Sequence, residues 1–382
     1  MPTVFPNASF EKMETPFYFY DTELLRQTLN TVTTLAKKHD YQVHFAVKAN
    51  ANPRILDEVR AAGLGVDCVS GNEVRAALEH GFDAKKIVYA GVGKADWEIN
   101  LALDADIECF NVESIPEMEV INELACKKGK VADIALRINP NVDAHTHQYI
   151  TTGLEENKFG IGLWEVEAAA FKAQSLSNIN LVGIHFHIGS QITDMGAFLA
   201  LSTRINELQK WFEANKIHLS VINLGGGLGI DYEHPDQLSI PDFEAYFETF
   251  AKHLELREGQ KVHFELGRSL VAQCGSLITR VLYVKKGQKK QFAIVDAGMN
   301  DLIRPALYHA YHKIENISSD KPTQKYDVVG PVCESSDCFG KEVVLPETSR
   351  GDLIAIRSAG AYGEIMASRY NLRNFPGSYF SE

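Results

Sequence analysis

The chain has 382 residues, 45% hydrophobic and 23% charged, with a formal net charge of −12 from 38 basic and 50 acidic side chains. That length holds one large domain with a smaller one, or two of medium size. An acidic balance carries no electrostatic footprint for nucleic acid, and without a run of about 18 apolar residues no membrane span is expected.

The first stretch, MPTVFPNASFEKMETPF, lacks a basic segment followed by an apolar one, so no secretory leader is expected. Six cysteines are no disulfide framework in a chain this long. Cys68, Cys109, Cys126 and Cys274 sit in apolar or helical stretches. They read as free thiols in a reducing compartment, the cytoplasm. Cys333 and Cys338 lie five apart with no second pair, which is a poor metal signal, and no metal is expected.

PFYFYD is an aromatic, strand-like run, and TELLRQTLNTVTTLAKKH follows it as a helix. Eight short apolar runs come next: QVHFAVKA (42–49), LGVDCVS (64–70), KIVYAG (86–91), IECFNV (107–112), VADIALRINP (131–140), LVGIHFHIG (181–189), SVINLGGG (220–227) and KVHFELG (261–267). Seven helical patterns separate them. NPRILDEVRAAG has Pro53 near its start and Gly63 at its end, the usual helix punctuation. NEVRAALEHG, ADWEINLALD, SIPEMEVINELACKKG and the stretches 164–175, 194–215 and 241–258 behave likewise. Eight strands alternating with helices over this span predict a (β/α)8 TIM barrel, with a doubly wound open sheet as the alternative. After about residue 276, LITRVLYVKKG, KKQFAIVDAG, QKYDVVGPV and DLIAIRSAGAYG are β runs broken by Gly and Pro. They predict a C-terminal antiparallel β domain. The expected division is a barrel over 30–275 and a β-sandwich or barrel-like domain from 1–29 plus 276–382.

Barrel active sites gather at the C-terminal strand ends, and phosphate sites often follow strands seven and eight. Run one closes on Lys48, which a solvated strand end would also explain. Run six carries His185 and His187 two apart, on one face, where two imidazoles could ligate a metal. Run seven ends in Gly225, Gly226 and Gly227, which suit either a backbone cradle for phosphate or a tight packed turn. The spacing G-x-G-x-x-G is absent because position 230 is Ile, so no dinucleotide fingerprint is present. Run eight supplies Glu265 and Arg268. A lysine, a flat imidazole, an anion cradle, a carboxylate and a guanidinium are together what pyridoxal 5'-phosphate needs.

With these motifs assembled, the chain resembles the barrel-type, alanine racemase-like pyridoxal-phosphate decarboxylases. The likeness spans almost all of it: FAVKANANPRIL, GVDCVSGNEV, RINPNVDAHTHQYITTGLEENKFGI, GIHFHIGSQI, NLGGGLGIDY, ELGRSLVAQCG, DAGMNDLIRPALYHAYH, GPVCESSD and GAYG. The resemblance implies that Lys48 joins the coenzyme covalently. It implies that His187 stacks on the coenzyme ring, with Ser190 near its phosphate, and that Gly225, Gly226 and Gly227 form the phosphate loop. Glu265, Gly267 and Arg268 come from ELGR, where Leu266 replaces a common proline; Glu265 would face the pyridine nitrogen. Arg268, Arg304 and Tyr308 would hold substrate. Cys333 would donate a proton and Glu334 bind a distal ammonium, while Tyr362 would touch cofactor and substrate. The family works as a homodimer whose partner supplies the CESSD segment.

The activity so implied is decarboxylation of meso-2,6-diaminopimelate to L-lysine, the closing step of lysine biosynthesis. A distal carboxylate wants a guanidinium, and the distal ammonium an acid; Arg304 with Arg268, and Glu334, match. The alternatives are a polyamine-pathway decarboxylase acting on arginine, ornithine or carboxynorspermidine, a non-catalytic carrier of the coenzyme, and a metal-dependent barrel hydrolase using His185 and His187. The resemblance also implies that 141–162, with His145, His147, Tyr149, Thr151 and Lys158, lies near the active site, an ordered solvated loop being the other reading.

Overall fold

The structure, a computed structural model, describes residues 5–142 and 158–382. His145, His147, Tyr149 and Thr151 lie outside the described residues. The strands are, in chain order, β1 (Phe17–Tyr20), β2 (Tyr41–Ala46), β3 (Gly65–Cys68), β4 (Ile87–Tyr89), β5 (Cys109–Val112), β6 (Ala132–Arg137), β7 (Ile179–His185), β8 (Val221–Asn223) and β9 (Lys261–Leu266). Strands β2 to β9 close into a barrel in sequential order, and every neighbouring pair is parallel. The open-sheet alternative is thereby removed.

Caps set the helix starts between these strands. Asn52, Ser70, Ser114, Asp194 and Asp242 each accept a backbone N–H of the helix they precede. Such a cap is worth about 1 kcal/mol. Phe264 on β9 turns outward and packs edge-on against Tyr246, Phe247 and Phe250, all of the helix Phe243–His253. Burying such a ring stabilises by about 1.5–3 kcal/mol. Its neighbours in the strand, His263 and Glu265, face the barrel interior, so the pleat puts polar groups inside.

The remaining strands are β10 (Gly275–Lys286), β11 (Gln291–Val295), β12 (Ile314–Asn316), β13 (Thr323–Val329), β14 (Cys338–Pro346), β15 (Leu353–Ile356) and β16 (Gly377–Phe380). Their sheet runs β12-β15-β10-β11-β13-β14, with β1 beside β10 and β16 beside β1. The pairs β1–β16 and β11–β13 are parallel and the others antiparallel. The aromatic run near the N-terminus does join this sheet: Phe17 and Phe19 of β1 pack with Phe10, Ile278 and Leu353.

The chain forms two compact units, a barrel unit of Leu29–Gly229 and Asp242–Gly267 and a terminal unit of Met1–Thr28, Ile230–Pro241 and Arg268–Glu382. Residues 230–241 join the terminal unit for a chemical reason. Tyr232 accepts from two of its arginines, and Asp236 pairs with Arg357 and Lys313. All six cysteines are free, and Cys126 is exposed on its helix. Among the described residues no helix is long and apolar enough to cross a membrane.

Candidate active site

Lys48 sits in a single helical turn, Val47–Ala49, directly after β2. Its Nζ lies 3.9 Å from Oδ2 of Asp67 on β3. Asp67 is buried, and neither carboxylate oxygen has a hydrogen-bond partner among the described residues. Burial, with the nearby charge of Glu265, pushes its carboxyl up, against the pull of Lys48. Lys48 and Asp67 share a cavity of about 360 Å³ with Arg137, His185, His187 and Glu265.

Glu265 is the opposite case. Asn111 of β5 and Asn223 of β8 both donate to its Oε1 at 2.8 Å, and His185 Nε2 reaches its Oε2 at 3.0 Å. Burial alone would raise its carboxyl. The His185 and Lys48 charges and the amide donors win and hold it well below the usual carboxylate range. The cavity therefore contains a fixed carboxylate beside a carboxyl that burial favours as the neutral acid.

His187 lies two residues beyond the end of β7. Gly226 N–H donates to its Nδ1 at 3.3 Å, and burial with the Lys48 charge keeps the ring neutral. His185 and His187 thus have separate partners and do not converge as metal ligands. The group of potential ligands found close together among the described residues is His44, Glu108 and His263.

The glycine run answers both readings made of it. A Cβ at Gly225 would stand 2.0 Å from the Phe186 carbonyl oxygen, and one at Gly226 would stand 2.0 Å from that of Glu265. Both glycines let strand ends press together. Their amides are engaged, Gly225 N–H by Asn223 Oδ1 and Gly226 N–H by His187. Gly227, at φ +109°, makes no N–H bond among the described residues and lies 2.7 Å, by its ideal Cβ, from the Gly189 oxygen. Ser190 is half-buried just after that residue, and Gly267 is buried where β9 ends.

Sequence reasoning missed three parts of this mouth: Asp67, the two asparagines, and an ion pair between Arg137 and Glu113. Glu113 also accepts the Gly91 and Gly160 N–H groups, and Arg137 stacks 4.9 Å over Phe159. Polar residues at alternate positions of buried strands were the available signal.

These groups fit pyridoxal phosphate. The amine stands in the cavity, the carboxylate is held charged, a neutral flat ring borders it, and a glycine backbone leaves no room for side chains.

The terminal unit carries a second polar cluster. Arg268 and Arg304, both buried, donate to the hydroxyl of Tyr232 at 2.6 and 2.9 Å. Arg268 lies 5.0 Å over the Tyr362 ring, and Tyr362 holds φ +57°, rare for a bulky residue. Arg304 also meets His312 Nε2 at 3.0 Å and makes no ion pair among the described residues. Tyr308 is half-buried at the end of the helix Arg304–Tyr308. Burial would raise the Tyr232 phenol, but the two guanidinium charges bring it down. Tyr232 and His312 were not singled out from the sequence, although both stand in quoted motifs.

Cys333 and Glu334 are exposed. Tyr370 and Ser336 donate to the two Glu334 oxygens. Asp337 fastens this loop by accepting the N–H groups of Met299 and Val332. No contact described joins Cys333 or Glu334 to the arginine pair.

The family model "Pyridoxal-dependent decarboxylase, pyridoxal binding domain" matches residues 22–272. The diaminopimelate decarboxylase of Bacteroides thetaiotaomicron is 61% identical over 383 residues, covering 100% of this chain and 99% of its own. That of Neisseria meningitidis serogroup B is 45% identical, covering 95% and 87%. The crystal structure of diaminopimelate decarboxylase from Helicobacter pylori complexed with L-lysine superposes with a TM-score of 0.93 at 41% identity, covering 98% and 94%. A Chlorella virus arginine decarboxylase shares the fold alone, at TM-score 0.85 and 19% identity.

Proposed function

This chain belongs to the pyridoxal-dependent decarboxylases, and we propose that it removes one carboxyl group of meso-2,6-diaminopimelate as CO2, leaving L-lysine. Pyridoxal phosphate, when bound, supplies an aldehyde that joins an amine and a ring that accepts the electron pair of a breaking carbon–carbon bond. Lys48 holds that coenzyme through its amine. Glu265, kept charged by its donors, holds a proton on the pyridine nitrogen. His187 covers the ring, and the Gly227 amide with Ser190 takes the phosphate. Arg268 and Tyr362 complete the assignments around it.

The substrate reading rests on one observation: Arg304 is 6% exposed and has no carboxylate partner among the described residues. A buried guanidinium without an anion is costly, and a distal carboxylate relieves it. Diaminopimelate has that carboxylate; lysine, ornithine and arginine do not. Tyr308 flanks the same arginine in the chain, and Glu334 takes the distal ammonium. Cys333 would supply the proton that takes the place of the departed carboxyl group on its carbon, and solvent would return a proton to the thiol. Cys333 and Glu334 act in the site of a second copy, so the working form is a homodimer. The enzyme is cytoplasmic, and its partners are small amino acids rather than nucleic acid or membrane.

The test compares CO2 release from diaminopimelate, ornithine and arginine, in wild type and Arg304→Ala. Wild type should prefer diaminopimelate by about 10⁴-fold, the scale a missing polar partner can reach. Arg304→Ala should lose that turnover while keeping the visible absorbance of bound coenzyme. Equal rates on ornithine would transfer the assignment to the polyamine class, and no CO2 from any of them would leave a carrier.

A further inference from the structure

Asp67 is a buried acid with no part in the chemistry assigned to Lys48, Glu265 and His187. It stands on β3 opposite Ala46 of β2, two residues before Lys48. Both side chains line the same cavity. The Lys48 side chain is 39% exposed and that of Asp67 is 1% exposed, so the amine meets open space while the acid is kept from water.

The Lys48 charge acts on three carboxyls, Asp67, Glu73 and Glu265. Their hydrogen bonds set them apart. Glu265 accepts from Asn111, Asn223 and His185. Glu73 accepts the Val69 N–H at 2.6 Å. Asp67 accepts no hydrogen bond among the described residues, and Lys48 Nζ at 3.9 Å is its ion-pair partner there. A carboxylate with bound donors is a poor base, because a proton would displace them. A buried carboxylate without donors gains by taking one. Burial, with the Glu265 charge, accordingly pushes Asp67 up. The other groups facing it leave the proton where it is. Arg137 is committed to Glu113, burial holds the Cys68 thiol protonated, and His187 stays neutral.

We propose that Asp67 takes the third proton of Lys48, so that the lysine meets the coenzyme aldehyde as a free amine, and returns that proton when a substrate amine displaces the lysine. This rests on the reading of Lys48 as the residue that joins the coenzyme. When an ammonium joins an aldehyde, the nitrogen electron pair forms the bond to carbon. The aldehyde oxygen leaves as water, and both hydrogens of that water come from nitrogen. Asp67 carries the first of them, from Nζ to its own Oδ2 and then to the departing oxygen. In water such a proton stays on an amine, of pKa roughly 10.4, and not on a carboxylate near roughly 3.9. In this cavity the transfer turns two opposite charges into two neutral groups, which burial favours. The lysine stem is flexible, and its rotation closes 3.9 Å to hydrogen-bond distance.

The experiment uses the full chain freed of coenzyme. Pyridoxal phosphate is added back at saturation between pH 7 and 9, and the first-order growth of its visible absorbance is followed. While the pair holds one proton between its members, the share with that proton on Asp67 does not change with pH. The wild-type rate should therefore stay nearly level. Asp67→Asn keeps the shape and carries no proton, so its lysine must lose one to solvent. Its rate should be at least tenfold lower at pH 7 and approach wild type by about tenfold per pH unit. Comparing the two proteins at each pH cancels the titration of the coenzyme itself. If Asp67→Asn fails to fold, Asp67→Ala reads the same group, and added formate should restore most of its lost rate at pH 7. A variant that matches wild type throughout, or a deficit of the same factor at every pH, would overturn the proposal. So would a wild-type rate that itself climbs tenfold per pH unit. The same absorbance forming in Lys48→Ala would instead remove the reading of Lys48 on which it rests.

Discussion

Replacing His312 by glutamine should flatten the acid limb of the stability curve. His312 is 1% exposed. Its Nδ1 lies 2.8 Å from the Arg357 carbonyl and so carries the proton, which leaves Nε2 to accept from Arg304. A second proton on Nε2 would face a guanidinium. Burial and the Arg304 charge push the imidazole from 6.5 to about 3. The sign follows directly. The unfolded chain takes up this proton near pH 6.5 and the folded chain only near 3. The stabilising contribution is complete above pH 6.5 and is lost as pH falls from there toward 3. Between pH 7.5 and 5.5 one such group removes about 1.4 kcal/mol. Glutamine can donate to Arg357 and accept from Arg304 without titrating. Urea denaturation at those two pH values, with coenzyme saturating, should therefore show the variant losing about 1.4 kcal/mol less than wild type. All other titrating groups cancel in the comparison. Equal losses would mean that His312 charges inside the fold, and the tautomer argument would fail.

Glu265→Gln keeps a carbonyl for both asparagine donors and an amide to donate to His185 once its proton moves to Nδ1. Stability should change by under about 1 kcal/mol, while kcat falls roughly 10- to 150-fold, the worth of a charge-assisted bond; a kcat within twofold of wild type refutes this. Tyr232→Phe removes the shared acceptor of Arg268 and Arg304, so KM for diaminopimelate should rise about tenfold, or ~1.4 kcal/mol, with kcat changed less. Steady-state kinetics decide it. Gly225→Ala puts a Cβ 2.0 Å from the Phe186 oxygen at φ +65°. That strain of about 1–3 kcal/mol should lower the melting temperature and weaken coenzyme binding, read by its visible absorbance.

The barrel was legible because strands buried on both faces read as short apolar runs between capped helices. The same property hid part of the chemistry. Asn111 and Asn223 lie 154 and 42 residues from Glu265, so no spacing connects them, and neither carries a charge. Strand β14, with Gly340, Lys341 and Glu342 inside it, was invisible for a different reason: its exposed positions break the apolar run. Tyr232 looked like loop because only folding brings its hydroxyl to two arginines. Yet a pattern was present. His44, Asp67, Asn111, His185, Asn223, His263 and Glu265 are polar residues in short apolar strands, and on β9 and β2 they alternate strictly with apolar ones. A barrel filled only for stability would carry branched aliphatics at those places. The interior is instead divided by its donors. Glu265 receives amide and imidazole N–H groups and is held as a carboxylate. Glu108 stands 3.9 and 3.8 Å from the Nε2 atoms of His44 and His263, and burial pushes it up to about 7. One carboxyl is held charged by its donors, and burial moves the other toward the neutral acid.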